Sequence, residues 1–184
     1  MKTNILPAQL AHTSQIEALI QLSVRELSQL DYTTEQIESA LEKVLGLDTQ
    51  LIKDQTYFIL QSGNEIVGCG GWSYRKTLFG SDNRQQRDNG VLDPKIDAAK
   101  IRAFFIHPHH VRKGLGKQLL MYCEQQAWDR GFTKLELGAT LPGQRLYKNF
   151  GYIAAAPYDY EIAPNLYMPI VPMSKTLSTR PESE

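Results

Sequence analysis

The chain has 184 residues, 42% of them apolar and 22% charged, with 20 Lys and Arg set against 20 Asp and Glu. That length carries one domain with a real core. The zero net charge offers no broad basic footprint for nucleic acid, and no apolar run approaches the roughly 20 residues of a membrane span.

Residues 3–9 read as a short first strand broken by Pro7. Ser14 and Glu17 have the spacing of a capping box ahead of Ile16, Leu19, Ile20, Val24 and Leu27, which predicts a helix over 14–29. Thr33 and Gln36 open a second helix carrying Ile37, Leu41, Val44 and Leu45, with Gly46 as its expected C-cap. "TYFILQ" (56–61) and "EIVGCGGWSY" (65–74) flank the turn "SGN" and predict a hairpin. Glycines 68, 70 and 71 mark a place where another backbone or a ligand comes close. Residues 75–97 are polar and mixed in charge, and are expected as a long surface loop.

"AKIRAFFIHP" (99–108) is the fourth strand, ended by Pro108. Residues 114–130 form a helix with Leu115, Leu119, Leu120, Cys123 and Ala127 on one face, closed by Gly131. "TKLELGA" (133–139) alternates as a fifth strand, and "GQRLYKNF" (143–150) is a short helix stopped by Gly151. Two further strands fill the remainder to residue 177, and 178–184 is a polar tail. The pattern is one mixed α+β domain. Cys69 and Cys123 fall in no paired motif, and each is expected as a small buried hydrophobe. No apolar segment follows Met1-Lys2, so the reading is a reduced, cytoplasmic protein with no membrane partner.

"HPHHVRKGLGKQLL" (107–120) gathers three of the four histidines, three cations and two glycines, then passes straight into a helix. A metal is set aside on spacing: Pro108 and the adjacency of His109 and His110 point the rings apart. Nucleic acid is set aside because "RKGLGK" lacks interleaved aromatics in a neutral chain. The dinucleotide fingerprint fails at Leu119, and the Walker loop fails at Gln118 and at position 111. What survives is an anion site suited to a pyrophosphate. A helix N-terminus has unpaired N–H groups and partial positive charge, and Arg112, Lys113 and Lys117 add to it. The plain alternative is a Gly-containing turn with a basic surface.

The order "FFIHP", "VRKGLG", "KQLL" resembles motif A of the GNAT N-acetyltransferases: a strand, then V/I-x-P, then (Q/R)-x-x-G-x-(G/A), then a helix. Val111 stands where Gln or Arg is usual, and Arg112 where glycine is frequent. "TLPGQRLYKNFGY" (140–152) resembles the family's motif B, with Thr140 in place of Asn and Gly143 in place of Ala, while Leu146, Tyr147, Gly151 and Tyr152 fit. The resemblance implies an α+β, three-layer α/β/α-like fold: a mixed, mostly antiparallel sheet of about seven strands whose fourth and fifth splay apart. It implies acetyl-CoA as cosubstrate, with no metal. Pantetheine would lie against the backbone of Phe105, Ile106 and His107. The pyrophosphate would sit on Val111, Arg112, Lys113, Gly114, Leu115, Gly116 and Lys117, with Thr140 as a further contact. The acceptor would be an amine of a small molecule or a protein, and a homodimer is possible.

Tyr147 occupies the family's general-acid position, where a phenol returns a proton to the departing sulfur; the bland alternative is that it packs its helix. Glu136, His107 and Asp97 are open alternatives for the base. Trp72, Tyr74 and Tyr32 are either acceptor-pocket or core aromatics. Two functions stay open at this point: an acetyltransferase, or a non-catalytic acyl-CoA-binding module of the same fold.

Overall fold

Gly63, at φ +58°, closes the turn between β2 (Tyr57–Ser62) and β3 (Glu65–Ser73), which pair antiparallel as the sequence predicts. The computed structural model describes residues 3–83 and 88–181. Around this hairpin lie β1 (Asn4–Pro7), α1 (Thr13–Leu27), α2 (Thr34–Lys43), α3 (Thr49–Lys53) and β4 (Ala99–Ile106). Then follow α4 (Leu115–Asp129), β5 (Lys134–Ala139), α5 (Gln144–Asn149), β6 (Ile153–Ala154), β7 (Tyr158–Ala163) and β8 (Leu166–Thr176). The sheet order is β1-β2-β3-β4-β5-β8-β6, with β7 also on β8. Every pairing is antiparallel except β4 with β5.

The eight strands reduce to the expected seven in one sense. β6 and β7 both run antiparallel to β8, Ala154 opposite Met173 and Tyr158 opposite Ile170, and Ala155 N–H donates to Pro172 O between them. They form one strand interrupted by an extra residue before Pro157, which has no N–H for a ladder.

Two cores cover the two faces of the sheet. On one, Leu119, Leu120, Cys123 and Ala127 of α4 pack with Phe58, Val67, Leu135 and Leu137. On the other, Ile16, Leu19 and Ile20 of α1 and Ile37 and Ala40 of α2 pack with Ile59, Cys69 and Met168. This is the α/β/α layering expected. Both cysteines are fully buried, and burial pushes both thiols up, Cys69 to about 12.

Three local readings need correction. Ser14 caps nothing, because a 3-10 turn at Leu10–His12 leads the chain into α1 already coiled, with His12 as N-cap. The Thr33–Gln36 capping box does form, but α2 stops at Lys43, and Gly46 is not a left-handed cap. A Cβ on Gly46 would sit 2.9 Å from that of Ser81, so glycine serves close packing there. α3, not expected, is capped by Asp48, whose carboxylate accepts the Gln50 N–H.

The 75–97 segment is also more ordered than a surface loop. Its stems continue the ladder through Lys76 N–H to Gly90 O and Leu92 N–H to Tyr74 O, and Thr77, Ser81 and Leu92 are buried. Residues 84–87 lie outside the described residues, as do 182–184 of the tail. Within the tail, Arg180 makes a two-pronged ion pair with Asp129 at 2.8 and 2.9 Å.

Candidate active site

β4 and β5 are hydrogen-bonded neighbours over two positions only, Ala99 opposite Leu135 and Lys100 opposite Glu136. Beyond that rung, where the Lys100 ammonium meets the Glu136 carboxylate, the strands part. β4 is bent by a bulge. Arg102 pairs with Gly71 and Phe105 with Cys69, so one extra residue of β4 faces Gly70. Ala103 takes up the bend at φ +54°, a region costly for a residue with a Cβ, and the buried Tyr57 hydroxyl donates to its carbonyl at 2.9 Å. Gly70 is required beneath: a Cβ there would lie 2.7 Å from the Phe104 ring. Past the bulge, His107 N–H donates to Val67 O at 2.9 Å. Ladder alternation then turns the N–H and C=O of Ile106, which is opposite Gly68, away from β3 and toward the gap.

The gap holds a cavity of about 100 Å³ that takes its walls from both faces of the sheet. Phe104 and Tyr147 come from the α4 side, Ala103, Phe105, Leu45 and Phe79 from the α2 side. A buried cluster roofs it. Arg102 pairs with Asp48 at 2.8 Å and donates to the carbonyls of Thr77 and Gly80, both at 2.9 Å, with both ionic side chains at most 2% exposed. Neither Arg102 nor Asp48 was singled out from sequence. The signal was present as a lone cation in the apolar run "IRAFFI", which a buried strand tolerates only when paired.

The glycine-containing loop lies between β4 and α4. His107 caps a 3-10 turn, Pro108–His110, accepting the His109 N–H on Nδ1 at 3.2 Å. Arg112 then adopts φ +61° and Gly114 φ +81°, and α4 starts at Leu115 with Gly114 as N-cap. Arg112, Lys113 and Gly114 are exposed, and space is open where a Gly114 Cβ would project. Leu115 is buried in the core, while a Cβ on Gly116 would lie 3.2 Å from Leu146, so α5 packs closely on the first turn of α4. Lys113 Nζ donates to His109 O; Lys117 is half-buried one turn on. The first N–H groups of α4 have no intrahelical partners and point out of this turn.

At the end of β5, Thr140 and Gly143 line the cavity with Tyr147. A Cβ on Gly143 would lie 3.3 Å from the Thr140 hydroxyl, so an alanine there would press on Thr140. Tyr147 is buried against Phe104 and Tyr152, ring centroids 6.3 and 5.7 Å away. Burial pushes its phenol above the usual tyrosine range, so it is firmly protonated at neutral pH.

The structure therefore brings Phe105, Thr140 and Tyr147 to one cavity, with Ile106, His107 and residues 111–117 continuing from the end of β4. The three alternatives for the base sit elsewhere. Glu136 is engaged by Lys100, Asp97 accepts the Asp93 N–H within a turn, and His107 faces Glu65. Trp72 is core, edge-on to Tyr74 and Phe132. The Tyr32 hydroxyl donates to Pro169 O and accepts the Leu141 N–H, and burial raises it to about 12.

Glu65, His107 and His110 place ligand-type atoms within 4.8 Å of one another. Because His107 Nδ1 accepts a backbone N–H, the neutral ring carries its proton on the nitrogen that faces Glu65. Among the described residues, the buried His110 Nδ1 has no hydrogen-bond partner.

Among the described residues, no helix is long and apolar enough to cross a membrane. Residues 21–152 match the Acetyltransferase (GNAT) family. The chain is 27% identical over 127 residues to the uncharacterized N-acetyltransferase YsnE of Bacillus subtilis (strain 168), covering 66% of this chain and 72% of that protein. The fold is similar to a GCN5-related N-acetyltransferase from Rhodopseudomonas palustris, with a TM-score of 0.70, 18% identity, and coverage of 96% and 97% of the two chains. It is also similar to yncA, a putative acetyltransferase from Salmonella typhimurium solved with its cofactor acetyl-CoA, with a TM-score of 0.63, 15% identity, and coverage of 99% and 98%. A parallel strand pair that opens into a cavity, a glycine-turned helix start beside it and a family match over most of the chain lead to one assignment: the chain belongs to the GNAT family of acetyltransferases.

Proposed function

We propose that the chain transfers an acetyl group directly from acetyl-CoA to an amine held in the same cavity. The observation that carries this is the parting of β4 from β5 beyond the Lys100–Glu136 rung, which leaves backbone groups of β4 unpaired beside a helix N-terminus. An extended pantetheine arm fits such an edge as an added strand along Phe105, Ile106 and His107. The pyrophosphate falls to the amides of Val111–Lys117. There Gly114 leaves room, and Arg112, Lys113 and Lys117 supply charge. Thr140 and Tyr147 close the other side.

The amine nitrogen attacks the thioester carbonyl, backbone N–H groups of the bulged strand stabilise the oxyanion, and Tyr147 protonates the leaving sulfur. The acyltransferase unit on this reading spans residues 1–177. Calorimetric titration tests it: acetyl-CoA binds the wild-type chain, and Gly114→Glu, which puts bulk and negative charge at the phosphate turn, loses binding while keeping its fold. A wild-type chain that does not bind acetyl-CoA sinks the proposal.

A further inference from the structure

The acyl-transfer reading leaves the acceptor unnamed, and the cavity's α2-side wall bears on it. That wall is built from Val44 and Leu45, which follow α2, and from Leu78 and Phe79 of the long loop. Phe79 lies over β5, 3.3 Å from where a Gly138 Cβ would sit, and packs edge-on against Tyr160 with centroids 5.0 Å apart. Among the described residues lining the cavity, the titratable side chains are Arg102 and Tyr147. The nearby carboxylates are committed. Asp48 is held by Arg102, and Glu136 by Lys100.

An ammonium entering this space sheds its water and meets carbon on the α2 side, with no carboxylate among the described lining residues to take its charge. An uncharged amine on an apolar body loses little water and buries its carbon against Leu45, Leu78 and Phe79.

Resting on the proposed acetyl transfer, we infer that the acceptor is an apolar, weakly basic amine that is uncharged when it binds, an arylamine or its equivalent, and not a polyamine or a lysine side chain. The chemistry balances without a separate base. The nitrogen lone pair attacks the thioester carbonyl carbon and the C–N bond forms. The C–S bond breaks with its electron pair on sulfur, and one N–H proton passes to that sulfur by way of Tyr147. The products are an N-acetyl amide and free coenzyme A thiol, with no net proton released. That accounts for a cavity in which neither carboxylate nor histidine lines the described walls.

The test is thiol release from acetyl-CoA near neutral pH with three acceptors: p-toluidine, spermidine and a lysine-bearing peptide. The expected result is a kcat/KM for p-toluidine at least about tenfold above the other two. Phe79→Ala, checked for folding by its melting curve, should raise KM for p-toluidine and leave acetyl-CoA affinity unchanged. Preference for spermidine or the peptide overturns the inference. So does an unmoved KM in Phe79→Ala, and so does transfer to none of the three by a protein that binds acetyl-CoA. Acetyl-CoA binding is read separately by calorimetry; its absence removes the acyl-transfer reading itself, and this inference with it.

Discussion

Arg102→Met removes a guanidinium that three groups share. The Asp48 carboxylate, 1% exposed, is left without its cation, and the carbonyls of Thr77 and Gly80 each lose a donor. Breaking a buried pair from one side costs about 3–5 kcal/mol, and methionine recovers part of that by burying its own chain. A net loss of about 3 kcal/mol is expected. At roughly 2–4 °C per kcal/mol for a chain of this size, the melting temperature falls by roughly 6–12 °C. Urea unfolding gives the free energy. Asp48→Asn, which keeps an acceptor for the Gln50 N–H, supplies the second arm of a double-mutant cycle. The pair should couple by about 2 kcal/mol. Because Thr77–Gly80 roofs the cavity, KM for the amine should rise while acetyl-CoA affinity holds. An Arg102→Met protein destabilised by less than about 1 kcal/mol, the worth of an exposed pair, would refute the argument that this cluster pins the roof.

Tyr147→Phe removes one hydroxyl and little volume, so kcat should drop by about 10²–10⁴ with acetyl-CoA affinity little changed; near-normal turnover makes Tyr147 a packing residue only. Arg112→Gly relieves a left-handed residue and should raise stability by about 0.5–1 kcal/mol after the cost of a more flexible unfolded chain, while weakening acetyl-CoA binding. A fall in melting temperature would contradict it. Burial raises the Asp54 carboxyl, but hydrogen bonds from Arg75 and Gln50 outweigh it and hold the group below the usual range. The unfolded chain therefore takes up the proton first. The stabilisation is full above about pH 4 and disappears as pH falls through the folded value, so the melting-temperature gap between wild type and Asp54→Asn should close in acid. A gap that does not narrow as the pH is lowered below about 4 removes the argument.

Elements set by neighbours in sequence were legible. The Thr33–Gln36 box and the apolar face of α4 need only three- and four-residue spacing, and Gly131 and Gly151 sit at the left-handed stops where a helix must end. Features set across the fold were not. Nothing local marks Ala103 for a positive φ; the bend depends on Gly70 and Tyr57, from two other strands. Ser14 had capping chemistry but met a chain already turned by Leu10–His12. At the cavity, Tyr147 and Thr140 could be named only through the resemblance of residues 140–152 to the family's motif B. The Arg102–Asp48 roof joins positions 54 residues apart, and its partners are visible only once the strand is placed.

On the proposed acyl-transfer reading, the rung between Lys100 and Glu136 also works as a depth stop. Beyond it, Ile101–Ile106 run free of β5 for about 20 Å, at roughly 3.3 Å per residue. Moving that meeting point one ladder step along both strands would shorten the open stretch by about 7 Å, because pairing advances two residues at a time. The reach of any arm laid into the fork is thus metered by where two side chains meet. Altering it means relocating an ion pair in the sheet, and no repainting of the cavity walls would have the same effect.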